Sequence, residues 1–180
     1  MFSSHAISAP NSPVVGEPAP QFDLKDQNGN NHTLSQYKGK IVVLEWTNPT
    51  CPFVVRHYEK KTMTQLAKSN SDIVWLTINS SHFTTHESNA KWAKAEGVKY
   101  VLKDSTGTVG RSYGSKTTPH MYVVDTQGKL AYKGAIDNDP YGDKKSPLNY
   151  IAEALKSLKA NQPVKTPETK PYGCSVKYKR

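Results

Sequence analysis

The chain has 180 residues, a length that suits one well-packed domain with short extensions. Its mean hydropathy is −0.68, and no apolar run approaches the ~18 residues of a membrane-spanning helix, so we expect a protein that does not enter a membrane. The net charge of +9 is concentrated partly in residues 161–180. No predicted face combines basic with aromatic residues, so binding to nucleic acid is not expected.

Residues 1–13 are interpreted as a leader or the remnant of a signal peptide. Ala6 and Ser8 are small residues of the kind found around a cleavage site, but a basic start and a long apolar stretch are missing. The two cysteines form no Cys-x-x-Cys pair and lie in no His-rich metal spacing, which favours an oxidising compartment. We therefore expect a periplasmic or secreted protein, with the cytoplasm as the alternative.

Predicted strands and helices alternate after the leader. Two short strands at 21–24 and 31–34 flank a turn and predict an N-terminal β-hairpin. Further strands are predicted at 41–46, 73–78, 120–125 and 129–134, and helices at 52–67, 87–96, 106–113 and 146–159. This order predicts an α/β sandwich in which helices flank a central mixed sheet, with parallel strands in the middle and an antiparallel pair at one side.

Cys51 stands between the buried strand at 41–46 and the helix that begins at Pro52. The start of a helix presents free backbone N–H groups and the positive end of the helix dipole, and both favour a thiolate. The ligand crevice of such sheets also lies at the carboxyl ends of the strands. Cys51 is therefore predicted to be a reactive thiol. The alternative is a buried apolar cysteine that merely precedes a helix.

Four stretches form recognisable motifs: VGEPAPQFDLKDQNGN, NPTCPFV around Cys51, TTPHMYVVDTQGKLAYKGAID and the ending ETKPYGCSVKY. Over residues 14–178 they resemble thioredoxin-fold redoxins of the alkyl hydroperoxide reductase C and thiol-specific antioxidant type, the ending being that of a bacterial subgroup. We accordingly assign residues 14–160 to a thioredoxin-like domain and 161–180 to an extended basic tail. The resemblance also implies a cis peptide at Thr118–Pro119 in a loop against the thiol, where the Thr118 backbone is offered to an extended peptide or a sulfur ligand.

The sequence departs from the family pattern near the thiol. Thioredoxins carry Cys-x-x-Cys, but here the run is Cys-Pro-Phe-Val, so no local cysteine is available to resolve an oxidised Cys51. Peroxiredoxins place a hydroxyl residue three before the reactive cysteine and a proline seven before it, where this chain has Asn48 and Leu44. Arg56 and Arg111 are the candidates for a clamp on thiolate and peroxide. We expect slow turnover with peroxide and better preserved disulfide exchange.

Glu45 lies six residues before Cys51, where the resemblance places a buried acid beneath the reactive thiol. An acid in the middle of the apolar run IVVLEW is hard to explain by packing. Desolvation would raise its pKa and make it a proton store for a thiol reaction near neutral pH. The alternative is that Glu45 faces a solvated edge or pairs with a lysine such as Lys133.

Cys174 is the second of the two cysteines and lies in a tail punctuated by prolines. The roughly 14 residues that follow the last helix span up to about 45 Å, which exceeds the ~40 Å width of such a domain. The tail is therefore long enough to bring Cys174 to Cys51 as a resolving thiol. A static bridge to Cys51 and pairing between chains remain open as alternatives.

The sequence thus predicts a thiol–disulfide oxidoreductase, or a redoxin resembling a thiol peroxidase. The predicted reactive site comprises Cys51, Cys174, Glu45 and Pro119, and the predicted substrate contacts are Asn48, Pro49, Thr50 and Thr118. A peroxide or a protein disulfide is the expected substrate, and an external thioredoxin-like dithiol is the expected reductant. No metal or organic cofactor is implied. The alternative is a redox-sensing or protein-binding module without turnover.

Overall fold

The computed structural model of the chain describes residues 12–179. The strands are β1 (Asp23–Lys25), β2 (Asn31–Thr33), β3 (Val42–Trp46), β4 (Val74–Asn79), β5 (Val101–Lys103), β6 (Thr117–Thr118), β7 (His120–Val124), β8 (Leu130–Gly134) and β9 (Cys174–Ser175). The helices are α1 (Pro52–Glu59), α2 (Thr62–Ser69), α3 (His86–Glu96), α4 (Thr108–Ser112) and α5 (Tyr150–Lys159), with a 3₁₀ turn over Leu34–Tyr37.

Seven of these strands form one mixed sheet in the order β2-β1-β5-β4-β3-β7-β8. β3, β4 and β5 run parallel. β7 and β8 extend the sheet antiparallel on one side, and the β1–β2 hairpin extends it on the other. The predicted α/β sandwich, with its central mixed sheet and N-terminal hairpin, is therefore confirmed.

Alternation along β3 divides the core into two layers, because successive side chains of a strand point to opposite faces of the sheet. Val42, Leu44 and Trp46 contact one layer, which includes side chains of α4. Val43 contacts the other, which includes side chains of α1, α2 and α5. Cys51 belongs to this second layer, so the thiol at the start of α1 lies on the helical side of β3 that Val43 faces.

Two helix predictions are wrong at their boundaries. The helix expected over 52–67 is divided into α1 and α2, because Lys61 adopts a left-handed backbone with φ 55° that interrupts the helix. The last helix begins at Tyr150 and not at residue 146. Its side-chain cap is Asn149, whose Oδ1 accepts a hydrogen bond from a backbone N–H at 2.9 Å.

The chain after α5 is extended and packs along the domain. The N–H of Lys133 on β8 donates to the carbonyl of Pro167, and the N–H of Thr169 donates to the carbonyl of Lys133, each at 3.1 Å. Further on, β9 pairs antiparallel with β6, and the N–H of Val176 donates to the carbonyl of Lys116 at 3.1 Å. The tail therefore follows the domain surface from β8 to β6.

Within residues 12–179, no helix combines the length and the apolar character needed to cross a lipid bilayer. The predicted leader at 1–13 lies, up to residue 11, outside the described residues.

Candidate active site

Cys51 is the N-terminal cap residue of α1. Its backbone is extended, with φ −78° and ψ 121°, and its carbonyl accepts the first helical hydrogen bond from the N–H of Val55 at 2.9 Å. Pro52 occupies the first helical position, where the missing N–H costs nothing and the ring presets the helical φ. Cys51 is only 1 % exposed. The thiol is thus at the helix start, as expected, but it is covered.

The turn before Cys51 is shaped by Asn48. Its Oδ1 accepts hydrogen bonds from the N–H of Thr50 at 3.1 Å and from the Thr50 hydroxyl at 3.0 Å, and its carbonyl accepts from the N–H of Cys51 at 2.9 Å. Asn48 is buried, Pro49 is half-buried and Thr50 is exposed. These three of the four predicted substrate contacts immediately precede the thiol, and Thr50 is the one of them that is exposed.

The loop before β7 lies directly against the thiol. The Thr118–Pro119 peptide bond is cis, and the Sγ of Cys51 donates a hydrogen bond to the carbonyl oxygen of Thr118 at 3.0 Å. Thr118 and Pro119 are both buried. The structure therefore brings the predicted loop to Cys51 through the carbonyl of Thr118, with Pro119 next in the chain.

Cys174 meets the same loop from the tail. In the β6–β9 pair it is the register partner of Thr118, whose hydroxyl donates to the carbonyl of Cys174 at 3.5 Å. Both cysteines are free thiols, and Cys174 packs against the cluster of buried side chains that contains Cys51, near enough for each thiol to shift the pKa of the other. Two residues that are 123 positions apart in the chain are thus adjacent at the start of α1.

The two thiols differ in acidity. Burial acts to raise the pKa of Cys51 and is the largest single effect, but hydrogen bonds from the Cys174 thiol, the Thr118 side chain and the backbone of Val54 outweigh it and lower this pKa below its ordinary value. For Cys174, burial and the hydrogen bond donated to Cys51 raise the pKa to about 11. Cys51 is therefore the thiol that ionises first and Cys174 the one that keeps its proton.

Gly173 allows the tail to come this close. Its φ is +137°, and a Cβ at this position would lie 2.1 Å from the carbonyl oxygen of Thr118 and 2.7 Å from its carbon. Neither the dihedral angle nor the contact is open to a residue with a side chain. A glycine directly before Cys174 is therefore required for the β6–β9 pairing.

Glu45 is buried on the face of β3 that looks toward α1. Its carboxylate accepts hydrogen bonds from the hydroxyl of Tyr58 on α1 at 2.8 Å and from the indole N–H of Trp75 at 2.9 Å. Burial raises the pKa of Glu45 to about 7, although both hydrogen bonds act to lower it. Lys133 pairs with Glu168, so the alternative partner for Glu45 is excluded. Tyr58 and Trp75 also line a cavity of about 400 Å³, which Cys51 does not line.

The two candidate arginines are engaged away from the thiol. Arg56 donates to the carbonyls of Asp139 and Pro140 at 3.1 and 2.8 Å. Arg111 donates to the carbonyls of Thr106 and Lys179, both at 2.8 Å. Both guanidinium groups are thus committed to backbone oxygens, and neither donates a hydrogen bond to Cys51.

Three residues near the thiols were not predicted as a group. Tyr172, two residues before Cys174, bonds to His57 on α1 and to Asp137 after β8. Neither His57 nor Asp137 is predicted from the sequence as a site residue. These residues come from three distant segments, so no local sequence pattern links them. The only hint in the sequence is that Tyr172 lies two residues before Cys174.

Among residues 12–179, no group of three or more His, Cys, Asp or Glu side chains has an arrangement that could hold a metal ion.

Several known proteins are similar to this chain in sequence. A sequence model of the Redoxin family matches residues 14–151. The thiol:disulfide interchange protein DsbE of Haemophilus influenzae is 29 % identical over 138 residues, which cover 73 % of this chain and 71 % of that protein. Chloroplastic peroxiredoxin Q of Sedum lineare is 27 % identical over 162 residues, covering 81 % and 77 %.

A solved structure extends the similarity to the whole fold. The crystal structure of a hypothetical protein from Sinorhizobium meliloti 1021 matches with a TM-score of 0.83 at 26 % identity, covering 94 % of this chain and 97 % of that one. The named relatives support a thioredoxin-like redox function. Since the family model spans most of the described residues, the chain belongs to the Redoxin family.

Proposed function

We propose that the protein is a thiol-dependent oxidoreductase in which Cys51 is the nucleophile and Cys174 is the resolving thiol. One observation carries the proposal: the two cysteines of the chain meet at the start of α1, where the pKa of Cys51 is lowered and that of Cys174 is raised. A thiolate beside a protonated thiol is the starting state that sequential attack requires.

With a hydroperoxide, the Cys51 thiolate attacks the terminal peroxide oxygen and the O–O bond breaks. The leaving oxygen takes a proton from solvent and departs as alcohol or water, so that Cys51 becomes a sulfenic acid. Cys174 then loses its proton and attacks the Cys51 sulfur. The S–O bond breaks and water leaves as the disulfide forms. Loss of the negative charge on Cys51 in the first step removes one of the effects that raise the pKa of Cys174, which eases the second step.

With a disulfide substrate, the Cys51 thiolate attacks one sulfur and releases the other as a thiol, and Cys174 displaces the bound half. In both cases an external dithiol returns two electrons and restores the two protein thiols. Relatives bearing the names peroxiredoxin Q and thiol:disulfide interchange protein support both substrate classes. The engaged arginines and the inward Asn48 favour the disulfide over the peroxide as the faster substrate.

Glu45 and the substrate contacts have supporting roles in this proposal. A carboxyl with a pKa of about 7 on the helical side of β3 stores a proton near neutral pH, and Tyr58 connects it to α1. Thr50 is the exposed residue of the turn and guides the substrate, whereas Thr118 and Pro119 form the wall against the thiol. The exported location remains part of the proposal, tested by cell fractionation.

A redox-sensing module is the second candidate. The observation that favours it is the 1 % exposure of Cys51 beneath the tail, which suits a slow switch better than rapid turnover. Multiple-turnover assays with a dithiol reductant and either hydrogen peroxide or a disulfide separate the two candidates. An enzyme completes many cycles, and a sensor stops after one oxidation.

The test of the nucleophile is the pH dependence of alkylation. We expect iodoacetamide to modify Cys51 in the Cys174→Ser variant with a midpoint below the usual thiol pKa of about 8.5, because the hydrogen bonds from Val54 and Thr118 remain. Cys51→Ser is expected to abolish turnover and to keep the circular dichroism of the fold. A Cys51 that stays unreactive at neutral pH in the reduced protein would contradict the proposal.

A further inference from the structure

The tail segment that carries Cys174 is held at three consecutive residues. Cys174 pairs with Thr118 and packs against the side-chain cluster that contains Cys51, Gly173 packs on the Thr118 carbonyl, and Tyr172 enters a site between α1 and the segment after β8. The first two contacts belong to the thiol site described above. The third is made away from the reacting atoms and has no part in the steps proposed so far.

Tyr172 lies at the centre of a buried hydrogen-bond network. Its hydroxyl donates to Oδ1 of Asp137 at 2.5 Å and lies 2.9 Å from Nε2 of His57. Its ring centroid is 5.9 Å from that of Phe53. His57 and Asp137 are 2 % and 5 % exposed, so their polar atoms are closed to water while the tail is docked.

The protons of the network follow from the donors available. The single proton of the Tyr172 hydroxyl goes to Asp137, so the same oxygen accepts toward His57, and Nε2 of His57 carries the hydrogen. The remaining nitrogen, Nδ1, has no hydrogen-bond partner within the described residues. Burial lowers the pKa of His57 to about 4, in agreement with a neutral ring. The Tyr172 hydroxyl thus satisfies both partners.

The network also has the geometry of a positioning device. Cys51 begins α1, and His57 lies six residues further along the same helix. Cys174 and Tyr172 lie on one extended segment two residues apart. The bond from Tyr172 to His57 at one point and the approach of Cys174 to Cys51 at the other therefore fix the position of the tail along α1, because a helix is rigid over this length. A tail held only by its linker would sample many positions, with an effective concentration in the millimolar range.

We infer that His57, Asp137 and Tyr172 form a clamp that positions Cys174 for attack on Cys51. The inference rests on the function proposed above, because it assigns these residues to its second step. They touch neither the substrate nor the reacting sulfur atoms and act through the tail. Asp137 retains a second partner, the N–H of Asp139 at 2.9 Å, so the acid stays in place when the tail leaves.

The redox potential of the thiol pair tests the clamp. In glutathione buffers, one glutathione disulfide takes two electrons from the protein thiols, the Cys51–Cys174 bond forms and two glutathione thiols are released. Tyr172→Phe removes the hydroxyl and keeps the ring against Phe53. We expect it to lower the effective concentration of Cys174 at Cys51 about tenfold, since a hydrogen bond to a charged group is lost. The disulfide becomes easier to reduce, and the potential rises by about 30 mV.

Tyr178→Phe is the matched control. It also removes one tyrosine hydroxyl from the tail, which donates to the carbonyl of Ser115 at 2.8 Å, but it does so beyond Cys174. We expect the redox potential of this variant to stay within about 10 mV of the wild-type value, which is a third of the shift of about 30 mV expected for Tyr172→Phe. Equal shifts in the two variants, or a wild-type potential in Tyr172→Phe, would overturn the clamp.

Asp137→Asn provides a second route if Tyr172→Phe folds poorly. It keeps an oxygen acceptor and removes the negative charge, so a smaller rise in potential is expected. The double variant is expected to shift no further than Tyr172→Phe, because both changes act on one hydrogen bond. Additive shifts would show independent effects and contradict the network. A wild-type protein that forms no Cys51–Cys174 bond in any buffer would instead contradict the proposed function.

Discussion

Gly173→Ala is the substitution that most directly separates the tail from the thiol site. The added methyl group would lie 2.1 Å from the carbonyl oxygen of Thr118 and 2.7 Å from its carbon, where ordinary contacts are about 3.5 Å or longer. The obstacle is backbone that is itself bonded to Cys51 and cannot rotate away. The tail has to move by about 1 Å or more, which breaks its pairing with β6.

The magnitude follows from the backbone as well as from the contact. A φ of +137° costs a residue with a side chain of the order of 1–3 kcal/mol. This cost falls on the docked tail alone, because the free tail adopts other dihedral angles. At 1.4 kcal/mol for each factor of ten, the docked fraction and the rate of disulfide closure fall about five- to 150-fold.

The assay is the closure rate of the Cys51–Cys174 bond after one equivalent of hydrogen peroxide, followed by alkylation and mass spectrometry. Trypsin cleavage after Lys177 reports independently whether the tail has left the domain. Gly128→Ala is the control, since Gly128 also has a positive φ of +83° but nothing within 4 Å of the added methyl group. A closure rate in Gly173→Ala equal to that of the control would refute the account of how the tail docks.

Three further predictions concern other residues. Burial raises the pKa of Glu45 from 4.5 to about 7. Between these two pH values the folded protein holds a proton that the unfolded chain has released. The free energy of unfolding therefore falls by about 3 kcal/mol as the pH rises from 4.5 to about 7. In urea titrations at several pH values Glu45→Gln flattens this fall, and an unchanged slope contradicts the assignment. Cys174→Ser accumulates a dimedone-reactive sulfenic acid on Cys51, and its absence after peroxide treatment counts against a resolving Cys174. Lys61→Gly relieves a left-handed residue with φ 55° and raises the free energy of unfolding by about 0.5–1 kcal/mol in thermal melts, whereas a loss of stability refutes the strain.

Local signals in the sequence were sufficient for the framework of the site. A continuous apolar run predicted β3, and Pro52 after Cys51 predicted the start of α1 with the thiol at its cap. Strands separated by helices predicted the sandwich. These features depend on neighbouring residues alone, so they can be predicted from the sequence before the fold is known. The unusual environment of Glu45 was also predictable, because a carboxyl group within an apolar strand conflicts with ordinary packing.

The parts that failed depend on contacts between distant residues. The break between α1 and α2 occurs at two lysines with no glycine or proline nearby, and β5 has three residues, too few for a periodic pattern. The tail length predicted that Cys174 can reach Cys51, but the path of the tail along β8 and β6 follows from backbone pairing with those strands. The clamp was not predicted because Tyr172, His57 and Asp137 are far apart in sequence.

The central claim is that Cys174 resolves an oxidised Cys51 within one chain, and peptide mapping of the oxidised protein tests it most directly. Dilute reduced protein, treated with one equivalent of oxidant, is expected to remain monomeric, to become lighter by about 2 Da and to yield a peptide pair that joins Cys51 to Cys174. Recovery of dimers linked through Cys174 of both chains, with Cys51 still a free thiol, would contradict the account.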